Sequence, residues 1–490
     1  MSRNISTDIS PFRSADWGQP MQLDIPRKLM QRDNFSKPPE LNYLDGPDPH
    51  EIKLILTKDI STWTKYSKRV RYAALSYCWG TSHNNTLTTT PSNLQQHLGA
   101  IQISDLPRTL RETIWAARDL GIRYLWIDAL CILQRERNAL DHEEADADWQ
   151  YESARMFLVY GNAFLTFVAA AAASSEEGLV LYKEPLRRLS GAPLTASNTP
   201  LHEEPISGRA WALQEWALSR RRLVFTKFGV HFICDHFGDR SLDGIRIKKK
   251  ITSHSVYGSG WHQLVSDYCS RDLTFPRDKL TAFSGLAQRY MKLLNYSGKN
   301  YLAGLWRHRL AEDLLWHWTP HPKLLLHKPS NRGRHPGRAP TWSWASTDGN
   351  VDFESASRCP EMKIKKCQVE LAVKDDFFGQ VKSGVLKVSC LYVTTSFHRP
   401  DFDSDIWVGS NIDGFFLYPD DITELKDYYV TPELHCLQLG LGIGDHSRWN
   451  ASFGIVVRFD NMKGAFTRVG FFRCKAKDFY TSDKQVFKIV

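Results

Sequence analysis

The spacing of apolar and polar positions changes character along the chain. Residues 1–50 are rich in Pro and polar side chains, and KPPELNYLDGPDPHE (37–51) reads as a loop, so an extended arm is expected before a first strand, EIKLIL, at 51–56. From residue 70 strand and helix patterns alternate. YAALSYCWG (72–80) is an apolar run stopped by Gly80. LPRTLRETIWAARDLG (106–121) places Leu110, Ile114 and Ala117 along one helical face, with Thr109 and Glu112 at capping-box spacing and Gly121 suited to the C-terminal cap. RYLWIDALCILQ (123–134) follows as a second apolar strand, yet it carries Asp128 in its middle. An acidic loop, a helix at about 147–161 and a strand-like run at 163–173 come next. Such alternation predicts parallel βαβ units and an open α/β sheet.

Residues 209–234 read as a helix and two short strands. Helical segments are expected at 260–269, 277–290 and 300–318, then a Pro/Gly/Arg linker (327–346) that ends in an aromatic cluster. Beyond 350 the runs GVLKVSCLYV, FGIVVRF and TRVGFFRC predict a β-rich C-terminal unit.

Composition narrows the classes. A chain of 490 residues, 42% apolar and 24% charged, fits a soluble globular protein of two or three domains. The 16 Trp imply large rigid cores or ligand pockets. The nine Cys are odd in number and form no CxxC pair, which fits reduced thiols in the cytoplasm rather than disulfides or a zinc site. The segment MSRNISTDISPFRS has no signal-peptide apolar run, and the longest apolar run (164–173) is too short to span a membrane. The formal charge of +9 is spread along the chain, and no zinc-finger spacing or RNA-binding signature accompanies it, so nucleic acid is not an expected partner. The basic runs at 246–250 and 219–223 read as solvated surface or as a nucleotide-phosphate contact.

Candidate chemistry gathers where strands end, since open α/β sheets bind ligands there. One end offers Ser76, Tyr77, Trp79 and Gly80; the other offers Asp128 and Cys131. Pleat alternation puts Asp128 on one face with Tyr124 and Trp126, where a carboxylate is costly unless bonded. It is either a structural anchor or part of a site. Glu152 shares a helical stripe with Trp149 and Met156, which would desolvate it and suit it to acid or base work; the alternative is an exposed Glu paired with Arg155. Arg209, Trp211, Gln214 and Glu215 form either a packed helix or a wall around a polar ligand. Cys131, with His231 or His236 as helper, is a nucleophile only in an electropositive setting; Cys131, Cys78 and Cys234 read more simply as small core residues. GLGIG (440–444) lacks dinucleotide-loop spacing, and HFICDH (231–236) is a poor metal site.

YAALSYCWG, LPRTLRETIWAARDLGIRYLWIDALCILQ, WQYESARMFLVYGNAFLTFVAA and RAWALQEWALSRR resemble, in order, the motifs of fungal heterokaryon-incompatibility (HET) domain proteins. The resemblance runs on through 268–287, 301–318, APTWSWAS (339–346) and AFTRVGFF (465–472), covering about residues 52–475. It implies an arm (1–50), a HET α/β domain (51–240), a helical connector with its linker (241–349) and the β-rich unit (350–490). HET domains are associated with programmed cell death when genetically different hyphae fuse, and are thought to be remote relatives of Toll/interleukin-receptor (TIR) domains. The resemblance thus implies a TIR-like, flavodoxin-like parallel sheet with flanking helices. ALSYCWG resembles the first TIR strand, and WQYE (149–152) is similar to the W-x-x-E segment of TIR enzymes that cleave NAD. That mapping makes Glu152 the catalytic glutamate with NAD as substrate, Asp128 the pocket floor and Trp79 a stacking platform. The acidic insertion RERNALDHEEADAD (135–148) departs from the family pattern and would alter or cover the pocket.

Three functions follow. One is self/non-self recognition and cell-death signalling through a nucleotide ligand, with a homo-oligomer or a death-pathway partner. Another is acid/base dehydration or cyclisation of a small molecule in fungal secondary metabolism by Asp128 and Glu152. The last is a non-catalytic interaction module.

Overall fold

A computed structural model describes residues 3–6, 52–54, 71–80, 87–136, 139, 141–179, 204–227, 229–234, 238–241, 260–319, 333–398, 407–409, 415–421, 431–443, 450–479 and 483–490. The loop at 37–51, His236 and the basic run 246–250 lie outside them. Contacts divide the chain into two compact units, Met1–Lys250 and Ile251–Val490.

The first unit is built on a nine-stranded sheet: β1 (Arg3–Ser6), β2 (Ile52–Leu54), β3 (Tyr72–Ser76), β4 (Ile101–Gln102), β5 (Tyr124–Trp126), β6 (Leu165–Ala169), β7 (Arg221–Thr226), β8 (Gly229–Cys234) and β9 (Gly238–Ser241). Its order is β4-β1-β2-β5-β3-β6-β7-β8-β9. The centre, β2-β5-β3-β6-β7, is parallel throughout. Antiparallel pairs β1–β2, β7–β8 and β8–β9 flank it. Every residue of β3 and β6 is buried, which is why YAALS and LTFVA read as unbroken small-apolar runs rather than alternating ones. After β3 the chain crosses to β5 on one side, then returns to β6 on the other. The strand order therefore reverses at β3, and open α/β sheets bind ligands beside the carboxyl ends of the strands at such a reversal.

Helices α1 (Leu94–Gly99) and α2 (Arg108–Asp119) lie between β3 and β5 in the chain. Leu110, Ile114 and Ala117 of α2 are buried, as the stripe predicts. The helix ends in a Schellman turn: Ile122 N–H donates to the Ala117 carbonyl, Gly121 N–H to that of Arg118, and Gly121 has φ +68°. The capping box does not form. Pro107 takes the cap position, while Thr109 accepts from Gly178 N–H at 3.0 Å and Glu112 from Leu179 N–H at 2.6 Å. Both side chains staple the 174–179 loop instead.

Three further expectations are corrected. RYLWIDALCILQ is not one strand: β5 stops at Trp126, and Asp128–Cys131 form a short helix, α3, so Asp128 does not share a pleat face with Tyr124 and Trp126. The helix at 147–161 is two, α4 (Glu143–Ser153) and α5 (Met156–Asn162), and the acidic stretch supplies the first turns of α4. Residues 300–318 are not a long helix. Ala303 and Gly304 both take left-handed φ (49° and 100°), folding Tyr301–Leu302 (β10) back on Leu305–Trp306 (β11); a short helix, α9 (Leu310–Asp313), and strand β12 (Trp316–Trp318) follow. Helix α6 (Ala210–Leu218) precedes β7, as expected.

The second unit includes helices α7 (Gly260–Cys269) and α8 (Ser284–Leu293) and a ten-stranded sheet. Within that sheet β18 (Val381–Thr395), β25 (Lys484–Ile489), β24 (Ala465–Lys475), β23 (Asn450–Asp460) and β22 (Leu434–Ile443) pair in a closed ring. Closing the ring removes sheet edges that would otherwise recruit other strands. β17 (Lys363–Leu371) is added beside β18.

The downstream motifs turn out to hold this unit together. The Gly304 backbone lies against Trp344, where a Cβ would sit 2.6 Å from the indole nitrogen; that nitrogen donates to the Gly304 carbonyl at 2.9 Å. Ser343 donates to the Ala303 carbonyl at 2.5 Å. Arg468, fully buried, stacks 3.5 Å over the Trp316 ring, donates to the Leu314 and Trp316 carbonyls and pairs with Asp420 at 2.9 Å. A guanidinium out of water is tolerable only with its donors met in this way.

Arg468→Leu should therefore destabilise this unit by about 3–5 kcal/mol, because it leaves Asp420 buried without its main partner. Gly304→Ala should destabilise it too, through φ and the Trp344 clash. Chemical denaturation with indole fluorescence reads both; unfolding midpoints equal to wild type would refute the assignment.

Candidate functional site

The carboxyl ends of β3 and β5 carry a buried polar cluster assembled from four parts of the chain. Ser76 ends β3 and Tyr77, Trp79 and Gly80 follow it; Asp128 opens α3; Tyr160 lies on α5; Arg209 caps α6, and Glu215 lies one and a half turns along it. Ser76, Tyr77, Asp128, Tyr160 and Glu215 are all buried, whereas Trp79, Gly80 and Arg209 are half-buried.

Each group is held by an identifiable contact. The Ser76 hydroxyl donates to Glu215 Oε2. The Arg209 guanidinium donates to the Tyr77 carbonyl. Asp128 accepts the Trp79 indole N–H at 3.0 Å and the Ala129 N–H at 2.7 Å. The Tyr77 hydroxyl lies beside Asp128, though without the geometry of a full hydrogen bond. Tyr160 donates to the Leu75 carbonyl at 3.0 Å, and its ring packs edge-on against Trp126. Gly80, at φ +96°, passes so close to Ser174 that a Cβ would sit 2.8 Å away; the loop held by Thr109 and Glu112 thus also fixes the turn behind Trp79.

Electrostatically the cluster holds two carboxylates against one guanidinium. Burial pushes the Asp128 and Glu215 carboxyls above the usual carboxylate range, and Arg209 pulls against that shift in both. The Asp128 carboxylate adds to the upward shift of Glu215. Burial likewise raises the Tyr77 and Tyr160 phenols, and the nearby carboxylates add to it. A carboxyl raised by burial keeps its proton to a higher pH than a solvated one, which suits it to proton donation, while an ionised partner beside it can accept one.

The remaining sequence candidates fall as follows. The carboxylate that shares Arg209 with Asp128 is Glu215. Glu152 is buried near the end of α4, and its helix meets α6 through Trp149, which packs edge-on against Trp211 at 5.6 Å. Arg155 stacks over Tyr151 and donates to the Tyr151 carbonyl. Gln214 is fully buried on α6. Cys131 is buried with its sulfur accepting the Ile127 N–H at 3.4 Å, and all nine cysteines are buried thiols outside any disulfide. His231 is buried with Nε2 3.1 Å from the Thr226 hydroxyl. The acidic insertion is tied down locally: Asp148 accepts the Leu133 N–H at 2.7 Å, and Asp146 pairs with Arg135 through two contacts of 2.5 Å. Sequence reasoning missed Tyr160; its one signal was a hydroxyl inside the apolar run FLVYG. Among the described residues no group of His, Cys, Asp or Glu is arranged to hold a metal ion, and no helix is long and apolar enough to cross a membrane.

Residues 72–215 match the model of the heterokaryon incompatibility protein (HET) family. They are a HET domain. Neither the curated proteins nor the solved structures contain a match to the chain. The HET match opens on the first residue of β3 and closes on Glu215, so every member of the buried cluster falls inside it. The motifs of the HET domain are therefore the segments that build this cluster, whereas the motifs downstream of it build the core of the second unit.

The pH response of the HET domain follows from the raised carboxyls. Between the ordinary carboxylate pKa, about 4, and their own higher values, the folded chain binds more protons than the unfolded one, so stability falls as pH rises through that window. Asp128→Asn should flatten this slope in thermal unfolding recorded across pH. An unchanged slope would show that Asp128 is not held in its protonated form.

Proposed function

We propose that the HET domain binds a nucleotide at the carboxyl end of its sheet and hydrolyses NAD, with NAD loss as the signal of non-self recognition and cell death. The observation that carries this reading is the meeting of Trp149 and Trp211, which sets the W-x-x-E helix carrying buried Glu152 against the helix carrying Arg209 and Glu215. In this scheme the sheet is TIR-like, and the reversal of strand order at β3 supports that likeness. Glu152 accepts the hydroxyls of the nicotinamide ribose and stabilises the oxocarbenium-like transition state. The C1′–N bond breaks with its electron pair going to nicotinamide, water adds at C1′, and its proton passes to a carboxylate. Trp79, half-buried and anchored by Asp128, offers a face for a planar ring.

A second reading has its own support. Asp128 and Glu215, both raised by burial and sharing Arg209, suit acid/base dehydration or cyclisation of a small molecule. It is distinguished by its independence from Glu152.

Glu152→Gln should lower NAD turnover about a hundredfold or more while the circular dichroism spectrum and melting temperature stay at wild type. Wild-type protein that leaves NAD intact at concentrations where it self-associates would overturn the NAD reading. Turnover of equal rate in Glu152→Gln would remove Glu152 from the mechanism.

A further inference from the structure

We propose that the second unit carries a docking face for an anionic phospholipid surface, centred on Lys366, Lys387 and Lys488. Backbone register places these side chains in one row across three neighbouring strands: Lys366 of β17 stands opposite Lys387 of β18, and Lys387 opposite Lys488 of β25. Neighbouring strands are about 4.8 Å apart, so three like charges stand side by side on one face of the sheet. Like charges directly opposite each other destabilise a sheet, and folding alone gives no reason to keep them.

The two faces of these strands differ sharply. Leu386, Val388, Phe487 and Ile489 are fully buried on one face. On the other, Lys366 and Lys488 are exposed, Lys387 is half-buried, and Val486 is 51% exposed. The carboxylates near this face are already engaged. Glu361 pairs with Lys484 at 2.7 Å, and Lys363 also acts on it. Glu370 accepts from the Ser383 hydroxyl at 3.0 Å. Among the described residues, none of the three row lysines has an ion-pair partner.

The chemistry of the face favours lipid over other polyanions. Its cations are lysines, compact point charges suited to a diffuse headgroup layer; an arginine fork, the group that grips an individual phosphate from two sides, is absent from the described face. Register puts Val385 and Val486 on the same side, and no aromatic platform on which a base would stack. Lysine stems lying beside short aliphatic side chains match the boundary between headgroups and acyl chains. Each lysine near an anionic surface contributes about a fivefold gain in partitioning, so the row is worth about a hundredfold.

The test is sedimentation of the full-length protein with vesicles of equal parts phosphatidylcholine and phosphatidylserine, and with phosphatidylcholine alone. Wild type should sediment with the first and not the second, and added salt should release it. Changing all three row lysines to Gln should lower partitioning about a hundredfold and leave the melting temperature unchanged or raised, whereas changing them to Arg should preserve binding. Lys382→Gln, at the register shift near the start of β18 and outside the row, should have no effect. Equal sedimentation with both vesicle types, or equal loss in Lys382→Gln, would overturn the proposal. Tighter binding of a single-stranded oligonucleotide or an acidic polypeptide through the same lysines would overturn the lipid assignment.

Discussion

The HET domain depends on one electrostatic constraint: two carboxylates leave water against a single, half-buried guanidinium. Asp128 and Glu215 are buried, and Arg209 is the cation acting on both. A carboxylate alone at that depth would cost several kcal/mol, so each partner is required by the others. The three come from α3 and from the cap and middle of α6, and Ser76 and Tyr77 join them from the end of β3. Their meeting depends on the strand order, since β5 lies beside β3 and brings the start of α3 next to the end of β3. The cluster and the parallel sheet are one arrangement seen at two scales.

Much of that arrangement is legible in sequence. Unbroken apolar runs announce β3 and β6, the stripe in 106–121 announces α2, and the polar residues at the run ends mark the site. What fails is local geometry decided by distant partners. Asp128 looks like an intruder in a strand because the sequence does not reveal that the backbone turns helical at that residue. Thr109 and Glu112 have the spacing of a cap, but Pro107 occupies the start and the loop at 174–179 competes for their oxygens. The sharing of Arg209 by Asp128 and Glu215 links residues 87 positions apart, and no periodicity encodes it.

The segment 300–318 fails for a different reason. Its apolar residues fit helical spacing, yet Ala303 and Gly304 take left-handed conformations because the Trp344 ring needs the backbone at close range. Tertiary packing overrides propensity there. The same packing gives the downstream motifs their role: Arg468, Trp344 and Gly304 are parts of the core of the second unit.

The closed ring in the second unit also sets the order in which the protein can fold. β18 pairs with β25, whose residues are made almost a hundred positions later, and β22 to β24 lie between them in the chain. During synthesis the middle strands can form antiparallel pairs early, because their partners are close in sequence. The flank of β18 that takes β25 stays open until β25 has emerged. Long-range closure of this kind is slow and leaves apolar strand surface uncovered in the meantime. Temperature and chaperone supply during that interval, rather than the final stability of the ring, then govern how much of the chain reaches its native form.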